Sequence, residues 1–298
     1  MNQSFNKFTI YSALAAGLVA FGFAPILVRF AADTSPITLV TYRTAFAALF
    51  LLPYWWAKRT RDQRKIARSE HLQVALAGVC LGLHFTFWLS SLYYTSVASA
   101  SVLVTVHPII VILVERLLFK RGFAATTWVG VAIAFGGSVL LAITDSQIEQ
   151  SFTNPLLGNM MAFTAAAIFV VYLFLGQKIR QKRAWIDYVF PVYSYAAGTC
   201  LLLALLFCED LLSVSPTAIW VAIGLALGPQ ILGHGSMNYA VKFISPTLLS
   251  TLILVEPLLA SVLAFFIFAE LPPLLSMAAM AFILLGIGLT WKRSSSTD

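Results

Sequence analysis

Charged side chains are scarce: only 10% of the 298 residues are Asp, Glu, Lys or Arg, against roughly 25% in a soluble globular domain. A chain with so little polar surface cannot present an ordinary face to water on all sides. Cysteine is rarer still. Cys80, Cys200 and Cys208 are an odd number with no metal-ligand spacing, and two of them lie well inside apolar runs, so neither a disulfide framework nor a metal site is expected. Also missing are an HExxH helix, a Walker loop and a nucleophile-plus-base motif. Nothing therefore points to an enzyme or to a bound cofactor, and the connections are too short to form an ATP-binding domain.

What the chain has instead is hydrocarbon. Sixty per cent of its residues are hydrophobic and the mean hydropathy is +0.87. A membrane helix needs about 20 apolar residues to cross roughly 30 Å of lipid tails. Such stretches recur at about 8–31, 37–57, 71–92, 97–119, 124–144, 156–176, 188–207, 218–240, 246–268 and 273–291. Each is expected to be a helix, because an open strand edge cannot be satisfied in lipid. The expectation is an all-α integral membrane protein of ten transmembrane helices, the first being a retained span and not a cleaved signal. Pro36, Pro155, Pro216 and Pro246 fall at helix starts, where a missing N–H does no harm. Pro25, Pro108, Pro229 and Pro257 fall inside spans and permit bends there.

The charges alternate with the spans. If the N-terminus is cytoplasmic, every Lys and Arg except Arg29 and Arg43 lies on the inner side, while Asp33, Asp145, Glu149, Glu209, Asp210 and Glu270 lie on the outer one. The positive-inside rule then puts both termini in the cytoplasm, for a bacterial chain at the inner membrane. The basic run between Lys58 and Arg68 reads as part of this alternation, and no nucleic-acid partner is expected. Tyr54, Trp55, Trp56, Trp128, Trp185 and Trp291 fall near inner span ends and read as interfacial anchors.

An offset of 149 residues overlays the two halves. Ser96 falls on Ser245, Ser101 on Ser250, Leu103 on Leu252, Val106 on Val255, Pro108 on Pro257, Phe119 on Phe268 and Gly137 on Gly286. Five spans per half is an odd number, so residues 1–149 and 150–298 are expected to form two five-helix repeats of opposite orientation, together one transport domain. Inverted repeats of this kind place a substrate site near the midplane where the halves meet.

Several features together resemble the drug/metabolite transporter superfamily, EamA type. They are the five-plus-five layout, Arg43 early in span 2, the segment Ser90 to Ser99 between spans 3 and 4, the mid-span prolines, and Glu270 closing span 9. The family often carries an acidic residue at the end of span 4 as well, and here that position is Arg121. The resemblance implies a secondary transporter working by alternating access. It would export small metabolites, commonly amino acids or related solutes, with protons as a candidate co-substrate, lipid around it, and a monomer or homodimer as the assembly. A channel-like facilitator and an intramembrane enzyme are the competing classes.

Ionisable groups inside spans are costly, about 2.5 to 3.5 kcal/mol each on insertion scales, and are read as functional by default. His107 and Glu256 occupy equivalent positions, each before a proline. They are expected to face the central cavity as a candidate proton-coupling pair; alternatively, each caps the carbonyl that its proline frees. His84 and Trp88 are four apart on span 3, and Gln230, His234 and Asn238 form an i, i+4, i+8 line on span 8, which should face protein or a cavity and not lipid. These seven residues are the candidate substrate-binding set. Pro108, Gly228, Pro229, Gly233, Gly235 and Pro257 are candidate gate or hinge positions, with close helix packing as the alternative for the glycines. Glu115 is close enough to the inner end to snorkel beside Arg116. Arg43 is read chiefly as a structural cation, with recruitment of an anionic substrate group as the second possibility.

Overall fold

The computed structural model describes residues 7–58, 68–95, 97–145, 154–207, 209–268 and 274–294, so Cys208, Glu149 and Glu270 lie outside the described residues. The described chain is helical throughout: α1 (Lys7–Arg29), α2 (Pro36–Lys58), α3 (Arg68–Tyr94), α4 (Val97–Val104), α5 (His107–Leu117), α6 (Ala125–Asp145), α7 (Pro155–Arg180), α8 (Trp185–Leu206), α9 (Pro216–Leu225), a π-helical segment (Ala226–His234), α10 (Gly235–Ala240), α11 (Pro246–Ile253), α12 (Glu256–Phe268) and α13 (Leu274–Ser294). Ten spans result. Span 4 is α4 plus α5, span 8 runs from α9 through the π segment into α10, and span 9 is α11 plus α12. Seven stretches among the described residues are long and apolar enough to cross a bilayer, and α6 and α13 contain shorter apolar runs.

Local chemistry fixes the helix starts. Asn154, Ser215 and Ser245 each precede a proline and accept a backbone N–H three residues on, from Leu157, Ala218 and Leu248 at 3.1 to 3.2 Å. Cap and proline together satisfy or remove the N–H groups that an N-terminus leaves orphaned. Within spans the prolines act unequally. Pro25, Pro53 and Pro191 sit inside helices that continue past them. Pro108 and Pro257 instead follow breaks at Thr105-Val106 and Leu254-Val255, two points 149 residues apart. A proline in these places removes an i to i−4 bond and crowds the carbonyl four residues back.

The twofold character extends to packing. α6 lies along α13, and a methyl group built on Gly137 would come within 2.9 Å of the Ala279 carbonyl, while one on Gly286 would come within 2.4 Å of the Gly130 carbonyl. Gly137 and Gly286 are equivalent under the 149-residue offset, and so are Gly130 and Ala279. The same contact is therefore made twice, once from each half, as two repeats of opposite orientation require. Elsewhere α3 packs along α7 and α8, α2 along α8, and α1 along the π segment and α12.

The helices run so that one end of the bundle carries Lys58, Arg68, Arg121, Arg180, Arg183 and Lys242, and the other carries Asp33, Glu209 and Asp210. We call these the basic and acidic faces. Arg43, Tyr172, Tyr188, Tyr193 and Phe85 are among the largest fully enclosed side chains. Leu156, Met160, Phe163, Leu202, Leu205 and Leu284 are exposed on the outside, where lipid replaces water as their solvent. Of the expected anchors, Tyr54, Trp56 and Trp128 are exposed. Trp55 turns inward and stacks on Phe190 at 4.6 Å, and Trp185 donates its indole N–H to the Gly235 carbonyl at 2.7 Å.

Candidate functional site

The central cavity lies where α1, α2, α3, α7, the π segment and the two broken spans converge. Its walls include Phe21, Arg43, His84, Phe85, Trp88, Thr105, His107, Phe169, Pro229, His234 and Glu256. All lie at mid-span or in the half toward the acidic face. Toward the basic face the enclosed side chains include Tyr172, Tyr188, Asn238 and Glu115.

The breaks in spans 4 and 9 put His107 and Glu256 at the first positions of α5 and α12. The two equivalent positions behave differently. His107 Nδ1 lies 2.9 Å from the Val104 carbonyl, which is the carbonyl that Pro108 leaves without its helical partner. A carbonyl only accepts, so Nδ1 carries the proton. The imidazole thus caps the break, and its Nε2 is buried with no hydrogen-bond partner among the described residues. The Glu256 carboxylate is half-buried on the cavity wall and makes no hydrogen bond or ion pair with any described residue.

Arg43 is the cation of the site and is 2% exposed. It is held from two sides: Nε donates to Gln230 Oε1 at 3.1 Å, and the guanidinium lies over the Phe85 ring at 3.9 Å. Its terminal nitrogens hydrogen-bond to no described residue, which leaves a planar fork of N–H groups at the cavity wall. Gln230 stands behind Arg43, with its backbone carbonyl taken by Tyr193 at 2.6 Å and its Nε2 buried and unpartnered. His84 donates from Nδ1 to the Ala165 carbonyl at 2.9 Å, so in the neutral imidazole Nε2 carries the lone pair. His234 sits edge-on to Phe21 and Phe85 at 4.9 and 4.8 Å, with Nδ1 buried and unpartnered. Phe169 packs against His84 and His107 at 5.2 and 5.0 Å.

Of the seven candidate binding residues, His84, Trp88, His107, His234 and Glu256 share this cavity. Gln230 supports Arg43 from behind. Asn238 lies one turn nearer the basic face, exchanging hydrogen bonds with Tyr172 at 2.6 and 2.9 Å and accepting Arg180 Nε on its carbonyl at 2.9 Å. Among the candidate hinges, Gly228 and Pro229 lie within the π segment, a departure from α-helix that recurs at functional sites. Gly233 is where Phe21 packs, a methyl there meeting the ring at 2.7 Å, and Gly235 faces the Trp185 ring. Outside that set of seven, the wall also holds Arg43, for which recruitment of an anionic group was the second possibility, and the rings of Phe21, Phe85 and Phe169. A charge inside an apolar span was the signal for Arg43, but its partner Gln230 is 187 residues away and its use could not be read locally.

The two ends of the bundle differ. At the acidic face Asp33, Thr38, Glu209, Asp210 and Ser213 line a polar depression of about 240 Å³, across which Thr38 donates to Glu209 at 3.1 Å. Asp210 accepts the backbone N–H of Leu212 and Ser213 and is paired with the Ser213 hydroxyl, which holds its carboxyl below the usual carboxylate range. At the basic face Arg183 pairs with Glu70 at 2.5 Å and Gln181 donates to the Lys242 carbonyl at 3.1 Å.

The geometry can be set beside known proteins. A profile of the EamA-like transporter family matches twice, over residues 8–143 and 156–292. The uncharacterized transporter YdfC of Bacillus subtilis is 27% identical over 200 residues, a match covering 66% of this chain and 63% of that one. An uncharacterized transporter of Archaeoglobus fulgidus is 25% identical over 94% of this chain and 96% of its own length. A solved crystal structure superposes with a TM-score of 0.79, covering 97% of this chain and 99% of that one at 18% identity, a likeness of fold alone. The chain belongs to the EamA-like transporter family.

Proposed function

We propose that the protein is a secondary transporter that exports small polar or amphipathic metabolites, amino acids or related solutes among them, by alternating access. The observation that carries this reading is one cavity, walled by aromatic rings, that holds an Arg43 fork and a Glu256 carboxylate, both without a hydrogen-bond partner there among the described residues. Unpaired charges of opposite sign in low dielectric are unfavourable unless something completes them. A solute carrying an anionic and a cationic group would do so, with Phe21, Trp88 and Phe169 taking its apolar part. In this reading the basic face is cytoplasmic, both termini are inside, and the membrane is the inner one. Tyr172, Tyr188, Asn238 and Glu115, enclosed between the cavity and the basic face, support a carrier over a channel.

Counterflow of labelled solute in proteoliposomes, after a thermal-shift screen of amino acids, nucleosides, vitamins and drugs, tests the reading. Saturable counterflow is expected; non-saturating flux would replace the carrier with a channel, and product formation without transport would replace it with an enzyme. Trp88→Ala should raise the half-saturation constant about tenfold, the equivalent of some 1.4 kcal/mol of lost ring contact, with the melting temperature little changed. Unaltered half-saturation would remove Trp88 from the site.

A further inference from the structure

Glu115 belongs neither to the cavity nor to the solvent-exposed surface. Its side chain is fully enclosed; Oε1 lies 2.5 Å from Arg121 Nη1, and Oε2 accepts the Thr247 hydroxyl. It does not snorkel beside Arg116: its cation comes from six residues further on. The chain turns back to deliver it. Arg121 N–H bonds to the Glu115 carbonyl at 3.0 Å, and the turn needs Lys120 at φ 55°, the one non-glycine residue among those described in the left-handed region. Strain of that kind persists where the surroundings over-determine it and concentrates at functional positions.

Thr247 is the second residue of α11, so the Glu115 contact joins one half of the molecule to the other. α5 and α11 are the basic-face segments of the two broken spans, and they touch over a short stretch between the cavity and the basic face. The Glu70–Arg183 pair also joins the halves, but it lies beside the continuous packing of α3 on α7 and α8. If access alternates, α5 and α11 are the segments free to part, each pivoting at the break above it.

We propose that Glu115, Arg121 and Thr247 form a latch that keeps the cavity closed on the basic face, and that release of the Thr247 hydroxyl from Glu115 is the opening step. The division of labour is physical. Arg121 sits on the same segment as Glu115 and is half exposed, so it travels with the carboxylate and no charge is stranded when the halves separate. The bond that breaks is to a neutral hydroxyl, which water can replace at small cost. The inference rests on the alternating-access reading.

Its test is a cysteine introduced at Ser250, enclosed and one turn along from Thr247, in full-length protein with Cys80, Cys200 and Cys208 replaced by Ser. A membrane-impermeant maleimide is applied to oriented vesicles from either side. With Thr247→Val, labelling from the basic-face side should rise at least about tenfold, as loss of one hydrogen bond to a charged group gives, and with Thr247→Ser it should return to the wild-type rate. Thr247→Ala serves the same purpose if the Val variant does not fold. Basic-side labelling that stays at the wild-type rate in a folded Val or Ala variant overturns the latch. Counterflow by the unsubstituted protein is scored separately, and its absence overturns the transport reading whatever the labelling shows.

Discussion

Glu256→Gln is expected to keep substrate binding and counterflow while losing accumulation driven by a pH gradient. The structure separates this residue from its repeat mate. His107 is committed through Nδ1 to the Val104 carbonyl, whereas the Glu256 carboxylate has no hydrogen-bond partner among the described residues and faces the cavity. A group that exchanges a proton for substrate needs that freedom. Gln has the same shape and can still meet a donor on the solute, but it cannot titrate. With one proton per cycle, a gradient of one pH unit supports accumulation up to about tenfold, and the variant should fall to about unity. His107→Gln should shift the pH optimum more mildly, since that side chain acts by capping and by proximity. Gradient-driven uptake into proteoliposomes measures both; driven uptake unchanged in Glu256→Gln would end the coupling idea.

Arg43→Met is expected to weaken binding of any carboxylate-bearing substrate by at least about 30-fold, the lower end of what losing one partner of a buried charge pair costs, about 2 to 5 kcal/mol. Stability should respond quite differently. Removing an enclosed charge that has no counter-ion within bonding distance among the described residues relieves desolvation, while Gln230 Oε1 loses its donor, at about 1 to 3 kcal/mol. The two oppose each other, so the melting temperature should move little while affinity collapses. Arg43→Lys keeps the charge but gives up the fork and the flat contact with Phe85, and should recover only part of the loss. Calorimetric titration with the solute found by counterflow decides the matter, and wild-type affinity in the folded Met variant would return Arg43 to a structural role.

The contrast between what was legible in the sequence and what was not has a physical basis. Lipid demands that each backbone group be satisfied within its own span, so composition alone gave the helices, and the paired prolines with the 149-residue offset located the breaks in spans 4 and 9. Side-chain partnerships are another matter. The Gln230, His234, Asn238 line assumed a regular α-helix. The π segment winds with i to i+5 bonds, and the three side chains diverge toward Arg43, the cavity and Tyr172 respectively. Glu115 was assigned the adjacent cation because no local pattern reveals a turn that brings Arg121 back to it. Arg43 reads chiefly as structural because span 2 offers no acidic residue to pair with it; its surroundings are built from α3 and the π segment.

The repeated glycine contact between α6 and α13 carries an implication about origin. An interface made twice, by the same residue against the same partner position, is self-complementary: a single five-helix unit inserted in both orientations would have carried both of its sides. Such a pair of identical subunits would have been bound to place one and the same residue at both pivots, two histidines or two glutamates facing a shared cavity. Joining the copies in one chain removes that constraint. It allows an imidazole spent on holding the backbone at one pivot and an unspent carboxylate at the other, and the polarity of the cavity, on this view, is what fusion of the two halves made available.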